Sequence, residues 1–206
     1  MPKLPPKDYI QAVEFPTSVS LTPIGRVRSP YTERHGTPRQ SQLRNQPQTY
    51  QPASATIELF EEVVPAIALK DLDGFDWIWV IAWLHLNKNW NPTVTPPRGP
   101  RVRRGTLATR APHRPNPIGL SAVRLLKVDG PVLHVEGIDL LDRTPILDIK
   151  PYVSYCDALP DAYCGYVSEM EREGEREADI FGQQGHPLRS QSAGDSRDSD
   201  TTNRDC

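Results

Sequence analysis

The sequence predicts a mainly β protein, a single domain forming a closed or strongly curved β-barrel with one short helix and long functional loops. Three observations carry that prediction. Proline supplies 22 of 206 residues, roughly double the usual share of about 5%, and each one stiffens φ and removes a backbone donor, which favours turns over long helices. Six or seven apolar or alternating segments follow one another at short spacing, bounded by Gly, Pro, Asn and Asp, the pattern of antiparallel strands. No strand–helix–strand rhythm runs along the chain, which argues against a doubly wound parallel sheet.

Taken in order, residues 1–18 read as an N-terminal arm, rich in proline and without periodicity. VSLTPIGRVRS alternates as a strand and stops at Pro30. Residues 32–52 are almost devoid of apolar side chains before ASATIELF resumes a strand pattern; compact domains keep such a loop when it binds something or is disordered. EEVVPAIALKDLDGF predicts the short helix, with acidic residues at its start, Pro65 in its first turn and Asp73-Gly74 at its end. FDWIWVIAWLHL is apolar at successive positions and predicts a strand buried on both faces. NKNWNPTVTPPRGPR reads as loop, VRRGTLATR as a strand, and PIGLSAVRLLKV and PVLHVEGIDLL as a hairpin joined through Asp129-Gly130. TPILDIKPYV closes the series, and the polar stretch from Gly182 onward predicts disorder.

The formal net charge of −2 conceals segregation: Trp77 to Val128 holds nine basic residues and no acidic one, whereas residues 129–206 sum to −10. A basic middle of this kind concentrates phosphates, so nucleic acid or an anionic ligand is the expected partner. Cys156, Cys164 and Cys206 match neither a disulfide framework nor a zinc spacing, which predicts thiols in a reducing compartment and no metal. The longest apolar run, Trp77 to Leu86, is too short for a membrane span and no leader opens the chain, so the expected location is the cytoplasm.

Glycine-rich phosphate loops, the serine-hydrolase elbow and the zinc-protease helix motif are all absent from the sequence. Function is therefore expected from inter-strand loops. Three stand out: Thr37-Pro38-Arg39-Gln40, the stretch from Arg110 to Gly119, and DLLDRTPILDIKPY from Asp139 to Tyr152. Taken singly, each has a plain structural explanation as an exposed turn, a rigid connector or an Asp-led β-turn.

Together, PIGRVRSPY, the PRQ triplet, a histidine ending an aromatic strand, GTLATRAPHRPNPIGLS and LDRTPILDIKPY stand in the order and approximate spacing of one family. The chain resembles the TrmO-like tRNA methyltransferases over roughly residues 21–155. The resemblance implies a single β-barrel domain, placed here at residues 19–165; the acidic tail over 166–206 reads as largely disordered from its composition, and Gly182 to Cys206 does not resemble the further C-terminal portion of the longer bacterial members. The resemblance also implies an enzyme, usually a homodimer, that uses S-adenosyl-L-methionine to methylate N6 of threonylcarbamoyladenosine at position 37 of tRNA. Carried over by position, donor contacts fall on Pro38, Arg39, Gln40, His85, Leu86, Arg110, Leu120, Asp139, Leu140, Leu141 and Asp142. The chain departs from the family where Ser is often Ala111, Gln is Leu86 and Gly is Arg143. The arginine implies that position 143 does not strictly require positive φ.

Methyl transfer to a delocalised nitrogen asks chiefly for alignment in a water-poor cleft, aided by a proton acceptor. Asp139, Asp142 and Asp148 are the candidate bases. Asp148 with Lys150 is favoured, because two positions apart on a strand share one face; a structural ion pair is the equally weighted use. Arg98, Arg101, Arg103, Arg104, Arg114 and Asn116 are the candidate RNA contacts, with Trp90 or Tyr31 available for stacking. The alternative functions are a non-catalytic RNA- or adenosyl-ligand-binding module on the same barrel and, more weakly, a scaffold for an acidic partner.

Overall fold

A computed structural model describes residues 16–41, 52–97 and 99–172. Among them are eight strands: β1 (Gly25–Arg28), β2 (Ser54–Leu59), β3 (Trp77–Trp83), β4 (Thr93–Val94), β5 (Arg104–Gly105), β6 (Ile118–Asp129), β7 (Val132–Glu136) and β8 (Pro145–Pro151). Six of them close an antiparallel barrel in the order β1-β2-β7-β6-β3-β8, with β8 returning to β1, while β4 and β5 form a separate pair. Closure removes every free edge from the main sheet.

The interior follows from the two-residue period. Val27, Ile57, Ile78, Val80, Val123, Leu133, Val135 and Ile146 are all completely buried, and alternate positions on each strand send them to one inner face. Each such side chain contributes about 1.5–3 kcal/mol of transfer free energy. The Asp129-Gly130 hairpin forms as read, with Gly130 at φ 58° and Asp129 opposite Val132.

Two register shifts bend the sheet. One leaves Leu147 unmatched between the Ile81–Asp148 and Ala82–Ile146 pairs; the other leaves Leu126 unmatched between Leu125–Val135 and Lys127–His134. Such bulges add local twist, which a small barrel needs.

Several elements differ from the sequence reading. The expected helix at residues 61–75 is two short 3-10 turns, Ala66–Leu69 and Leu72–Gly74, separated by Asp71 in the left-handed region at φ 67°. Ile67 lies exposed, so the segment lacks the buried stripe that stabilises an amphipathic helix. β3 is buried on one face only, because a single-layer barrel has one interior; Ile78, Val80 and Ala82 point in while Trp83 is exposed. The VRRGTLATR strand shrinks to Arg104–Gly105 followed by the 3-10 turn Thr106–Ala108. Its partner β4 rises from the stretch read as pure loop.

Two helices escaped the sequence reading, α1 (Ser154–Asp157) and α2 (Tyr166–Arg172). Both are too short to show helical periodicity. α1 is tied to the barrel wall by Trp79 Nε1 donating to Asp157 Oδ2 at 2.9 Å. α2 falls within residues 166–206, assigned above to the tail, and Met170 on it is buried. The stretch read as disordered from Gly182 lies outside the described residues.

Candidate functional site

Strand directions gather the singled-out segments at one end of the barrel. The C-terminal ends of β1, β3 and β7 and the N-terminal ends of β2, β6 and β8 share that end, because every barrel pairing is antiparallel. The Pro38–Gln40 segment follows β1, His85 and Leu86 follow β3, Arg110 precedes β6, and Asp139 to Asp142 bridge β7 and β8. The Gly130 hairpin occupies the opposite end.

Asp139 stands where the segment after Gln40, the Arg110 stretch and β6 meet. Its Oδ1 accepts a 2.5 Å hydrogen bond from Ser121 Oγ on β6. Its carboxylate also takes the backbone N–H of Ser41 and its own N–H, and Arg110 is the charged group facing it. Desolvation outweighs these stabilising contacts, so burial pushes the Asp139 carboxyl above the usual carboxylate range. The residue as a whole is only half-buried, but its charge-bearing end is tucked into the mouth. Ser41 Oγ donates in turn to Ala122 O at 2.5 Å. Neither Ser121 nor Ser41 was singled out from sequence, since a serine in a strand or loop carries no local signal of a buried acceptor beside it.

The bridge from Leu140 to Thr144 is held by β1 and the turn after it. Ser29 Oγ donates to Leu140 O at 2.8 Å, Ser29 N–H to Asp142 Oδ1 at 3.3 Å, and Asp142 N–H to Tyr31 O at 2.7 Å. Asp142 therefore acts as a cap on the Ser29–Tyr31 turn. Arg143 has φ 62°, so although an arginine here suggested that the position does not strictly require positive φ, it takes up the left-handed region in this chain. Its N–H donates to Val27 O at 2.8 Å and Thr144 N–H reaches Leu141 O at 3.2 Å; these bonds hold a conformation that an arginine backbone alone disfavours.

On the β3–β6 side, His85 packs edge-on against Trp83, ring centroids 6.0 Å apart. Leu86, Leu120, Trp83 and Ile118 are 63%, 53%, 45% and 43% exposed, an apolar outer rim with no core role. Leu120 faces outward, opposite to its neighbour Ser121, which is buried. Arg114 serves the loop itself: its Nη1 donates to the carbonyls of Thr106 at 3.3 Å, Thr109 at 2.8 Å and Ala111 at 3.5 Å. Asn116 lies exposed just before β6.

Asp148 and Lys150 pair with each other at 2.8 Å on the outer wall, their side chains 45% and 62% exposed. Asp148 sits opposite Ile81, which sits opposite Leu120, so it shares the outer row of Leu120 and stands apart from Asp139. Arg101 and Arg103 are exposed, and the Arg104 guanidinium lies 4.7 Å above the Tyr166 ring. Trp90 is exposed and Tyr31 packs against the core. Arg98 lies outside the described residues.

S-adenosyl-L-methionine carries a sulfonium and an ammonium cation, a carboxylate and two largely apolar portions. The mouth offers a desolvated carboxylate at Asp139 and a cation at Arg110, and the outer rim at the same barrel end offers exposed apolar surface at Leu86 and Leu120. Those groups fit such a ligand. No cluster of His, Cys, Asp or Glu suited to a metal occurs among the described residues.

A closed six-stranded barrel whose loops converge on a desolvated carboxylate at one mouth defines a class of barrel-type ligand-binding domain, built without the parallel sheet of the usual nucleotide binders. The sequence profile of the tRNA-methyltransferase O N-terminal domain matches residues 26–158; the chain belongs to the TrmO family. It is 38% identical over 158 residues to the tRNA (adenine(37)-N6)-methyltransferase of Escherichia coli, covering 73% of this chain and 65% of that protein. It is 40% identical over 141 residues to a Methanothermobacter thermautotrophicus protein named "Probable S-adenosyl-L-methionine-binding protein", covering 68% of this chain and 95% of that one. The crystal structure of TrmO from Pseudomonas aeruginosa superposes with a TM-score of 0.58 at 39% identity, over 72% of this chain and 62% of that chain. The chain thus spans somewhat under two thirds of the longer bacterial relatives.

Proposed function

We propose that this chain is an S-adenosyl-L-methionine-dependent tRNA methyltransferase acting on N6 of threonylcarbamoyladenosine at position 37, in the anticodon loop. The observation that carries the reading is the convergence of four separately encoded segments, at residues 38–41, 85–86, 110–121 and 139–142, on the barrel end that holds Asp139. The name of the Escherichia coli relative supports the reaction, and that of the Methanothermobacter thermautotrophicus relative supports the donor.

In this reading S-adenosyl-L-methionine supplies the methyl group when bound. Pro38, Arg39 and Gln40, the Asp139–Asp142 bridge and the His85–Leu86 turn hold it through main-chain groups, while Arg110 offers a cation for its carboxylate. Leu86 and Leu120 keep water from the apolar portions. Asp148, in the outer row with Leu120, takes up the proton released from the acceptor nitrogen, and Lys150 beside it polarises the carbamoyl oxygen. Arg98, Arg101, Arg103, Arg104 and Asn116 hold the anticodon-loop phosphates, with Arg114 rigidifying the loop that carries them. Two copies associate through the Trp83–Ile118–Leu120 rim, and the protein works in the cytoplasm.

Mass spectrometry of tRNA nucleosides from a strain lacking the gene tests the reading. N6-methylated threonylcarbamoyladenosine should vanish and return when the gene is restored. Its persistence in the deletion strain, where no second enzyme makes it, overturns the proposal.

A further inference from the structure

We propose that Ser41, Asp139 and Ser121 form a latch that clamps the Pro38–Gln40 segment onto the barrel mouth and so positions it for the methyl donor; the inference rests on the donor-binding reading above. Ser41 follows directly on Gln40. Two bonds anchor it: its hydroxyl donates to Ala122 O across a separation of 81 residues, at 2.5 Å, and its backbone N–H reaches the Asp139 carboxylate. Ser121 Oγ holds that same carboxylate from the barrel interior at 2.5 Å. The carboxylate is thus the shared acceptor of a loop donor and a strand donor.

The physical consequence is preorganisation. A loop that must be ordered when its ligand arrives subtracts that ordering cost from affinity, and a loop already clamped at its far end avoids part of it. The latch is also sensitive to single losses, because a buried carboxylate deprived of one donor keeps its desolvation cost without compensation. Ser121 and Ser41 are positioning residues. Neither belongs to the predicted donor contacts; they act through Asp139 and the Ala122 carbonyl.

The test uses limited trypsin digestion of the full chain, reading cleavage after Arg39 by mass spectrometry, together with calorimetric binding of S-adenosyl-L-methionine and tRNA methylation at saturating donor. Ser121→Ala should raise cleavage after Arg39 about tenfold and weaken donor binding about tenfold, the scale of a lost hydrogen bond to a charged group. For Ser121→Ala, kcat at saturating donor should stay within about twofold of the parent, since alignment of bound donor is retained. Ser121→Thr keeps the hydroxyl and should restore both readouts, while Lys127→Ala at the opposite end should move neither. Unchanged cleavage in a folded Ser121→Ala overturns the latch, as does failure of Ser121→Thr to restore it. Faster cleavage with unchanged donor affinity overturns the positioning role. Should Ser121→Ala not fold, Ser41→Ala removes the Ala122 bond alone and is judged by the same two outcomes. If the parent protein shows the cleavage pattern but binds no donor, the donor reading falls and the clamp itself stands.

Discussion

Arg143 occupies φ 62°, a left-handed conformation that costs an ordinary residue roughly 1–2 kcal/mol. Glycine removes that cost but adds about 0.5–1 kcal/mol of unfolded-state entropy. Arg143→Gly should therefore stabilise the fold by up to about 1 kcal/mol, visible as a higher denaturant midpoint with an unchanged slope. Two carboxylates make opposite predictions for pH. Burial raises the Asp139 pKa, so its contribution is fully present below the ordinary carboxylate range and is lost as pH rises through the elevated folded value. Asp139→Asn should accordingly be more stable than the parent at neutral pH, the gap closing in acid. Glu58 behaves inversely: hydrogen bonds from Arg26 and Arg28 lower its pKa, so its contribution holds above the ordinary range and disappears as pH falls. Melting curves of Asp139→Asn and Glu58→Gln across acid pH distinguish the two signs.

At the scale of the elements, β1 crosses β2 so closely that a Cβ on Gly25 would lie 2.5 Å from Glu58 O. Both strands are pinned by neighbours on either side, so the backbone cannot yield cheaply. Gly25→Ala should cost about 1–3 kcal/mol, measured by denaturant unfolding. The bulge at Leu147 has a consequence for chemistry. Ile146 faces the core, and an unbroken two-residue period would turn Asp148 and Lys150 inward beside it; the unmatched residue turns both outward, where they pair. Exposed pairs of this sort add at most about 1 kcal/mol of stability. Asp148→Asn should therefore leave the melting temperature nearly unchanged while lowering kcat about a hundredfold, the lower end for a lost proton acceptor. A kcat within twofold of the parent would reduce Asp148 to a surface ion pair. Arg114 illustrates the loop elements: one guanidinium nitrogen ties three carbonyls of the preceding turn, so a side chain counted from sequence as an RNA contact is also a strut.

At the scale of the whole molecule, nine basic residues between Trp77 and Val128 face an acid-rich remainder. If exposed Arg101 and Arg103 meet tRNA phosphates, replacing both by Ala should weaken tRNA binding and lower the salt slope by about 0.7 per lost contact on a single-stranded loop, leaving donor affinity intact. Filter binding across a salt series measures it. The positions of the six barrel strands along the chain, the hairpin at Gly130 and the three motif loops were legible in the sequence, because alternation and turn chemistry are local and the loop motifs are long. The helix expected around Pro65 failed because nothing nearby buries Ile67, a tertiary fact. By itself the sequence placed the six barrel strands along the chain and singled out the loops that the fold gathers at one end of the barrel. Only the tertiary structure decided that Asp139 is desolvated and clamped by Ser121 and Ser41, that Asp148 is turned outward, and that Arg143 is left-handed. Each of these depends on pairing between segments far apart in the chain, and register is a global property: one unmatched residue reverses the face of every side chain beyond it.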